Sequence, residues 1–251
     1  MLRNYEKVLI IIPTFNEREN ISKLIGEIDS TVSREVDILV IDDNSPDGTG
    51  KVVSEISLRN PRVKLLERKC KDGLARAYLE GFTYALKNHY PVIVCMDADL
   101  SHNPVYLNQF FEKIQEFDFV LGSRYVPGGG IEDWGWFRRL LSRWGNRYAR
   151  WVLNAPIYDM TSGYKCLRAD LLTKIGYQDI KSNGYEFTIE LAYLFYRNGF
   201  SIKEIPIVFT DRRYGSSKLS KWIILNALTK VWKLRLGSKK ICAVRPNYNA
   251  L

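Results

Sequence analysis

The sequence is poor in the features that would place a chain outside the cell or across a bilayer. Its four cysteines, Cys70, Cys95, Cys166 and Cys242, lie far apart and form no C-x-x-C pair. That argues against a zinc site and a disulfide framework, and fits a reducing compartment. No uncharged apolar run approaches the roughly 18 residues that a spanning helix needs. The longest, such as residues 8–12 and 92–96, are of strand length. The N-terminus (Met1-Leu2-Arg3-Asn4-Tyr5-Glu6-Lys7) leads straight into the first of these. No room is left for a signal peptide, so a cytosolic location is expected. Internal repeats and low-complexity tracts are also missing.

What is present is a core-forming chain with surplus positive charge. At 251 residues, 46% of them hydrophobic, it suits one α/β unit with elaborations and can bury a full core. The formal net charge of +9 admits nucleic acid, an anionic membrane surface or phosphorylated small substrates as partners.

Residues 7–13, 36–41, 63–66, 92–96 and 117–122 are apolar runs of the kind found in strands buried on both faces. Helical stretches at 18–29, 48–59, 74–88 and 105–116 separate them. Asn16, with Glu19 three residues on, predicts a capping box. This alternation predicts an α/β fold with a mostly parallel, Rossmann-like sheet flanked by helices. Ligands in such sheets bind beyond the carboxyl ends of the strands. From Tyr125 the rhythm changes. A flexible Pro-Gly-Gly-Gly stretch at 127–130 precedes an amphipathic helix at 137–153. A strand and helix within 164–175, a helix at 185–198, a strand at 201–209 and a final helix at 219–236 follow.

The carboxylates gather at the predicted strand ends. Asp42-Asp43-Asn44-Ser45-Pro46-Asp47-Gly48-Thr49 follows the second strand. A turn with helix caps accounts for Asp47 and Thr49, but not for Asp42 and Asp43 together. Carboxylates so placed suit ribose hydroxyls and base N–H groups. After the fourth strand comes Met96-Asp97-Ala98-Asp99-Leu100-Ser101. Asp97 and Asp99, two residues apart, can both reach one divalent ion whose other positions go to water and substrate phosphates. His102, beside Pro104, reads as a loop residue more than as a ligand. Arg138 and Ser142 lie at i and i+4 on one predicted helical face. Arginine forks there would seat a phosphate monoester, which near neutral pH is largely dianionic and needs no strong base. A hydroxyl acceptor would need one, and Asp159 is the candidate. Arg124 reads either as part of the phosphate seat or as half of a structural ion pair.

Together, Ile12-Pro13-Thr14-Phe15-Asn16-Glu17, Asp42-Asp43-Asn44-Ser45 and Asp97-Ala98-Asp99 resemble the family 2 glycosyltransferases of the GT-A fold. Gly122-Ser123-Arg124-Tyr125, the run from Arg138 to Arg143, Asp159-Met160-Thr161-Ser162-Gly163 and the segment from Asp211 to Leu219 resemble that family's dolichyl-phosphate mannosyltransferase group. The resemblance covers about residues 7–236. It implies transfer of mannose from GDP-mannose to a polyprenyl phosphate, with inversion by direct displacement. It implies Mg2+ or Mn2+ on Asp97 and Asp99, with Ser101 beside them. It places Pro13, Phe15, Glu17, Asp42, Asp47 and Arg212 on the donor, and Arg124, Arg138 and Ser142 on the acceptor phosphate. Asp97, Asp99 and Arg124 are thus the expected catalytic residues. Lys218 joins Arg212 in a basic Gly- and Ser-containing loop able to close over the donor diphosphate. Ser101 stands where the family usually has Gln, and Phe15 where Tyr is common. The expected domain spans residues 1–236, with donor and metal in 1–123, acceptor in 124–236, and a basic tail at 237–251.

Another nucleotide-sugar, such as UDP-glucose, is the neighbouring alternative. A polysaccharide synthase would carry Q-x-x-R-W, and Leu140-Leu141-Ser142-Arg143-Trp144 lacks the Gln. A nucleic-acid-binding protein would use the same charge, but acidic strand-end loops repel phosphates unless a metal intervenes. Within 137–153, Phe137, Leu140, Leu141, Trp144, Tyr148 and Trp151 form an apolar stripe flanked by Arg139, Arg143, Arg147 and Arg150. That pattern suits a helix lying in a membrane interface, and equally one packed on the sheet. A polyprenyl acceptor requires a membrane surface or a membrane-spanning partner, so a peripheral position on the cytoplasmic face is expected.

Overall fold

A computed structural model describes residues 5–210 and 221–237. The first half alternates as its periodicity predicts: β1 (Val8–Thr14), α1 (Arg18–Thr31), β2 (Asp37–Asp42), α2 (Thr49–Arg59), β3 (Val63–Glu67), α3 (Leu74–Lys87) and β4 (Val92–Cys95). Then come α4 (Leu107–Lys113), β5 (Phe119–Ser123), β6 (Gly130–Ile131), α5 (Trp136–Leu153), β7 (Lys165–Arg168) and α6 (Asp170–Ile175). The chain continues through α7 (Tyr185–Arg197), β8 (Ile202–Pro206), β9 (Val208–Phe209) and α8 (Lys221–Gly237).

Seven strands form one sheet in the order β3-β2-β1-β4-β7-β5-β8. All neighbours are parallel except β7, which runs antiparallel to both β4 and β5. Its reversal brings the turn before Lys165 to the edge where the parallel strands end. The strands are apolar on both faces because both are covered. Leu9 and Ile11 of β1 face the core shared with α3, α6 and α7. Val8, Ile10 and Ile12 face the core under α1, α2 and α4. In α1 the buried Ile21, Leu24, Ile25 and Ile28 recur at one helical face. Truncating any of these to Ala costs about 2–5 kcal/mol.

Three expectations are corrected. There is no capping box: Asn16 has φ +61°, Glu17 is the N-cap of α1, and its own side chain makes no capping bond. The backbone N–H of Asn16 instead donates to Ser45 Oγ at 3.0 Å. The helix predicted at 105–116 is a 3-10 turn (Pro104–Tyr106) followed by the shorter α4, because Asn103 Oδ1 accepts from the Val105 N–H and tightens the entry. The strand predicted at 201–209 breaks after Pro206, which has no N–H to donate. Beyond the break β9 pairs with β6, so the Pro-Gly-Gly-Gly stretch is ordered at its end. A Cβ at Gly129 would lie 2.5 Å from Ser123 O, so only glycine lets this strap lie against β5.

Candidate active site

Loops after β1, β2, β4 and β5 meet at one edge of the sheet, around the switch between β1 and β4. At the end of β2 Asp42 is buried. Its carboxylate accepts from Thr14 Oγ1 at 2.8 Å, and from the N–H (2.9 Å) and hydroxyl (2.6 Å) of Ser45. Asp43 turns away to a buried ion pair with Arg68. Burial raises its carboxyl pKa, against the pull of that arginine. The two adjacent carboxylates that a simple turn left unexplained thus have separate partners. Asp47 joins two helix starts, accepting from the Thr49 N–H at 2.9 Å and the Arg18 N–H at 3.1 Å. Partial burial opposes its charge, but the hydrogen bond from the Thr49 hydroxyl (2.6 Å), with those two N–H bonds, wins and its pKa falls. Glu17 donates its N–H to Thr49 Oγ1 and accepts from Asn20. Pro13 is half-buried at the end of β1. Beside it, Lys71 Nζ lies 3.6 Å from the centroid of the Phe15 ring.

At the end of β4 lies the candidate metal centre. Asp99 is 6% exposed, and its Oδ1 accepts both the N–H and the hydroxyl of Ser101. Leu100 between them has φ +62°, a strained conformation for a residue with a branched side chain. Asp97 is 29% exposed. Its neighbours are Tyr78 Oη at 3.4 Å and His102 Nε2 at 3.8 Å. His102 is not a solvated loop residue. It is buried, stacks on Tyr164 at 4.8 Å, and accepts the Asp97 N–H on Nδ1. Burial holds its pKa down, so the imidazole is neutral. A Cβ at Gly163 would stand 3.2 Å from Asp97 Oδ2, so glycine keeps that face of the carboxylate open. Among the described residues no third acidic, His or Cys side chain joins the pair. Two carboxylates with an open face fit a hard divalent ion that takes its remaining ligands from water and phosphate.

Beyond β5 the site is built on Asp159, which is fully buried. Arg124 donates to it from its backbone N–H (3.0 Å), Nε (2.7 Å) and Nη2 (2.7 Å). The same Nη2 donates to Thr161 Oγ1. Burial would raise the Asp159 pKa, but Arg124 outweighs it and the carboxyl stays below its usual range. One expectation changes here: Asp159 is an ion-pair partner and not an available base. The Arg124 fork closes on Asp159, the ion pair that is one of its two readings. Glu204 steadies the turn by accepting the N–H groups of Tyr158 and Asp159. From α5, Asn146 donates to Thr161 Oγ1 at 3.0 Å. The turn at 159–163 therefore touches Arg124 and α5 at one end and Asp97 at the other.

Arg138 and Ser142 share a face of α5, as their spacing predicts. Tyr125 Oη donates to Ser142 Oγ at 2.6 Å, leaving the serine its own proton to donate. The first turn of α5 carries no acidic residue, and Arg138 and Arg139 stand near the positive end of the helix dipole. Most of the apolar stripe of α5 stays outside the core, which takes Ala149, Val152 and Leu153 from the other face, with Tyr148 of the stripe packed partly against it. Trp136 (77% exposed), Phe137, Leu140, Trp144 and Trp151 (71%) face outward. Trp151 meets the exposed Trp232 of α8, ring centroids 6.3 Å apart. No helix among the described residues is long and apolar enough to cross a membrane. Arg212 and Lys218 lie outside the described residues.

Two buried residues here received no role from the sequence. Tyr78 of α3 reaches Asp97, and burial raises its phenol pKa well above the usual value. Lys165 is 1% exposed at the start of β7 and donates to Ser162 O. Burial lowers its ammonium pKa to about 8, with Cys95, Asp97 and Asp159 opposing. The available signal was a lone lysine inside the apolar run Tyr164-Lys165-Cys166-Leu167.

The family model "Glycosyl transferase family 2" matches residues 9–176. A polyprenol monophosphomannose synthase of Mycolicibacterium smegmatis is 43% identical over 238 residues, covering 93% of this chain and 89% of that protein. An undecaprenyl-phosphate mannosyltransferase of Micrococcus luteus is 40% identical over 233 residues, covering 93% and 96%. Among solved structures, a mannosyltransferase of Pyrobaculum calidifontis in complex with GDP-Man and Mn2+ is 17% identical, with a TM-score of 0.63, covering 94% of this chain and 65% of that one. Glucosyl-3-phosphoglycerate synthase of Mycobacterium tuberculosis, in complex with Mn2+, UDP-glucose and phosphoglyceric acid, gives a TM-score of 0.65 at 18% identity, covering 92% and 80%. At such identities these structures speak for the fold alone.

Proposed function

The chain belongs to glycosyl transferase family 2, and from that premise we propose that it transfers mannose from GDP-mannose to a polyprenyl phosphate. The observation that carries this is the turn at 159–163. It ties the carboxylate end of β4 to the arginine-headed helix α5, through Gly163 against Asp97 and Thr161 against Asn146. A donor diphosphate and an acceptor phosphate would meet across it.

Pro13, Phe15, Glu17, Asp42 and Asp47 would bind the nucleotide from the β1 and β2 loops, and Arg212 and Lys218 would close on the diphosphate. Asp97 and Asp99, with Ser101 behind Asp99, would hold Mg2+ or Mn2+, which when bound neutralises the diphosphate and makes it a better leaving group. Arg138 and Ser142 would seat the acceptor phosphate, with Arg124 adding positive potential from behind. One acceptor phosphate oxygen forms a bond to the anomeric carbon as that carbon's bond to the nucleoside diphosphate breaks. Direct displacement of this kind inverts the configuration. The dianionic acceptor needs no proton removed, so the engagement of Asp159 with Arg124 costs the reaction nothing. A polyprenyl tail resides in a bilayer, and the outward face of α5 and α8 would dock there, on the cytoplasmic side.

The test is a defined assay with GDP-mannose, a short-chain polyprenyl phosphate and Mn2+ or Mg2+, scored by mass for the mannosyl lipid. Formation of that product, dependent on the metal, is expected. Product from UDP-glucose in place of GDP-mannose would reassign the donor, and no product from either would overturn the reading.

A further inference from the structure

Resting on the assignment of Arg138 to the acceptor phosphate, we infer that Trp134 is the positioning residue that holds this arginine in place. Arg138 is the third residue of α5, in its first turn. Its guanidinium is held over an aromatic face. The Arg138 Cζ lies 3.8 Å from the centroid of the Trp134 ring. The same ring lies 5.7 Å from the Arg124 Cζ, so one indole spaces the two arginines of this side.

Trp134 is itself fixed. The strap leading to it is pinned where Gly130 N–H donates to Ile207 O (3.0 Å) and Glu132 N–H to Phe209 O (2.8 Å). Phe209 meets the indole edge-on, with ring centroids 5.5 Å apart, and meets His102 in the same manner at 6.0 Å. A continuous column of rings thus runs from beside Asp97 to Arg138. The indole N–H is buried and meets no acceptor among the described residues. Phenylalanine would avoid that unsatisfied donor, whereas tryptophan offers the face that attracts a cation most strongly. The position is therefore built around the ring face, and its cargo is Arg138.

The experiment measures KM for a short polyprenyl phosphate and for GDP-mannose in Trp134→Leu, Trp134→Phe, Arg138→Ala and the double variant Trp134→Leu/Arg138→Ala. Trp134→Met, which refills the volume with a flexible chain, replaces Leu if that variant does not fold. Trp134→Leu should raise the acceptor KM roughly threefold to thirtyfold with the donor KM unchanged. Trp134→Phe should restore most of that loss. In the Arg138→Ala background the loss from Trp134→Leu should vanish, because the indole then has no guanidinium to hold. Losses that simply add would overturn the inference, as would an acceptor-defective Arg138→Ala beside a normal Trp134→Leu. Equal rises in both KM values, with a fall in melting temperature, would reduce Trp134 to a packing residue. If Arg138→Ala itself left the acceptor KM unchanged, the acceptor assignment would fail first, and visibly so.

Discussion

At the scale of single residues, Asp99 and Asp159 are both buried carboxylates with opposite expected consequences. Asp99 takes the N–H and hydroxyl of Ser101 on one oxygen, and an Asn side chain can keep those two bonds while losing the charge. Asp99→Asn should therefore fold normally but bind Mn2+ at least about tenfold more weakly, since a hard cation depends on ionised carboxylates. Titration calorimetry with Mn2+ and GDP checks this, and unchanged metal affinity would remove Asp99 from the metal site. Asp159 instead answers a buried arginine, and Asp159→Asn should cost about 3–5 kcal/mol of stability by stranding that charge. Its folded pKa is depressed, so the folded state binds this proton less readily than the unfolded state. The stabilisation is full above the ordinary carboxyl value of about 3.9 and fades as the pH falls through the lower folded value. Denaturant titrations should show the gap between wild type and Asp159→Asn narrowing only in that acid window. A constant gap down to acid unfolding would contradict the ion pair.

At the scale of elements, α5 does two jobs with two faces. Its inner face places Asn146 against the turn at 159–163, while its outer face presents Trp136, Phe137, Leu140, Trp144 and Trp151 beside Arg139, Arg143 and Arg147. Each basic residue near an anionic leaflet contributes about 1 kcal/mol, screened within a Debye length. The inserted tryptophans add a share that salt does not remove. The protein should pellet with vesicles containing phosphatidylglycerol at low salt and be partly released at high salt. Charge reversal at Arg139, Arg143 and Arg147 should weaken pelleting without slowing transfer to a water-soluble acceptor phosphate. A wild-type protein indifferent to such vesicles would point to a membrane-spanning partner instead.

At the scale of the molecule, the loops proposed to bind the donor and the carboxylates proposed to hold the metal come from three strand ends of one sheet, so ligand binding should stabilise the whole domain. At a ligand concentration of 100 times Kd the gain is about 2.7 kcal/mol. For a domain of this size that is roughly 5–10 °C in Tm. GDP-mannose with Mn2+ should produce this rise, and Asp99→Asn should lose most of it. An oligonucleotide should produce none. A rise with the oligonucleotide alone would revive the nucleic-acid alternative left by the charge of +9.

Local periodicity was enough to read the strands of the first half and its helices up to α3, because a strand buried on both faces has a signature that needs no partner. The acidic strand ends were equally legible, since carboxylates are costly in such places unless something meets them. Pairing was not legible. That Asp43 belongs to Arg68 and Asp159 to Arg124 depends on residues 25 and 35 positions apart meeting across the sheet edge. Only the reversal of β7 brings Lys165 and Gly163 to Asp97, and only the break at Pro206 lets β9 pin the strap that carries Trp134. The stripe on α5 was plain in the sequence, but an amphipathic pattern is the same for a helix that covers a core and one that meets a bilayer. What turned most of the stripe outward was tertiary: Ala149, Val152 and Leu153 on the opposite face of that helix already join the core.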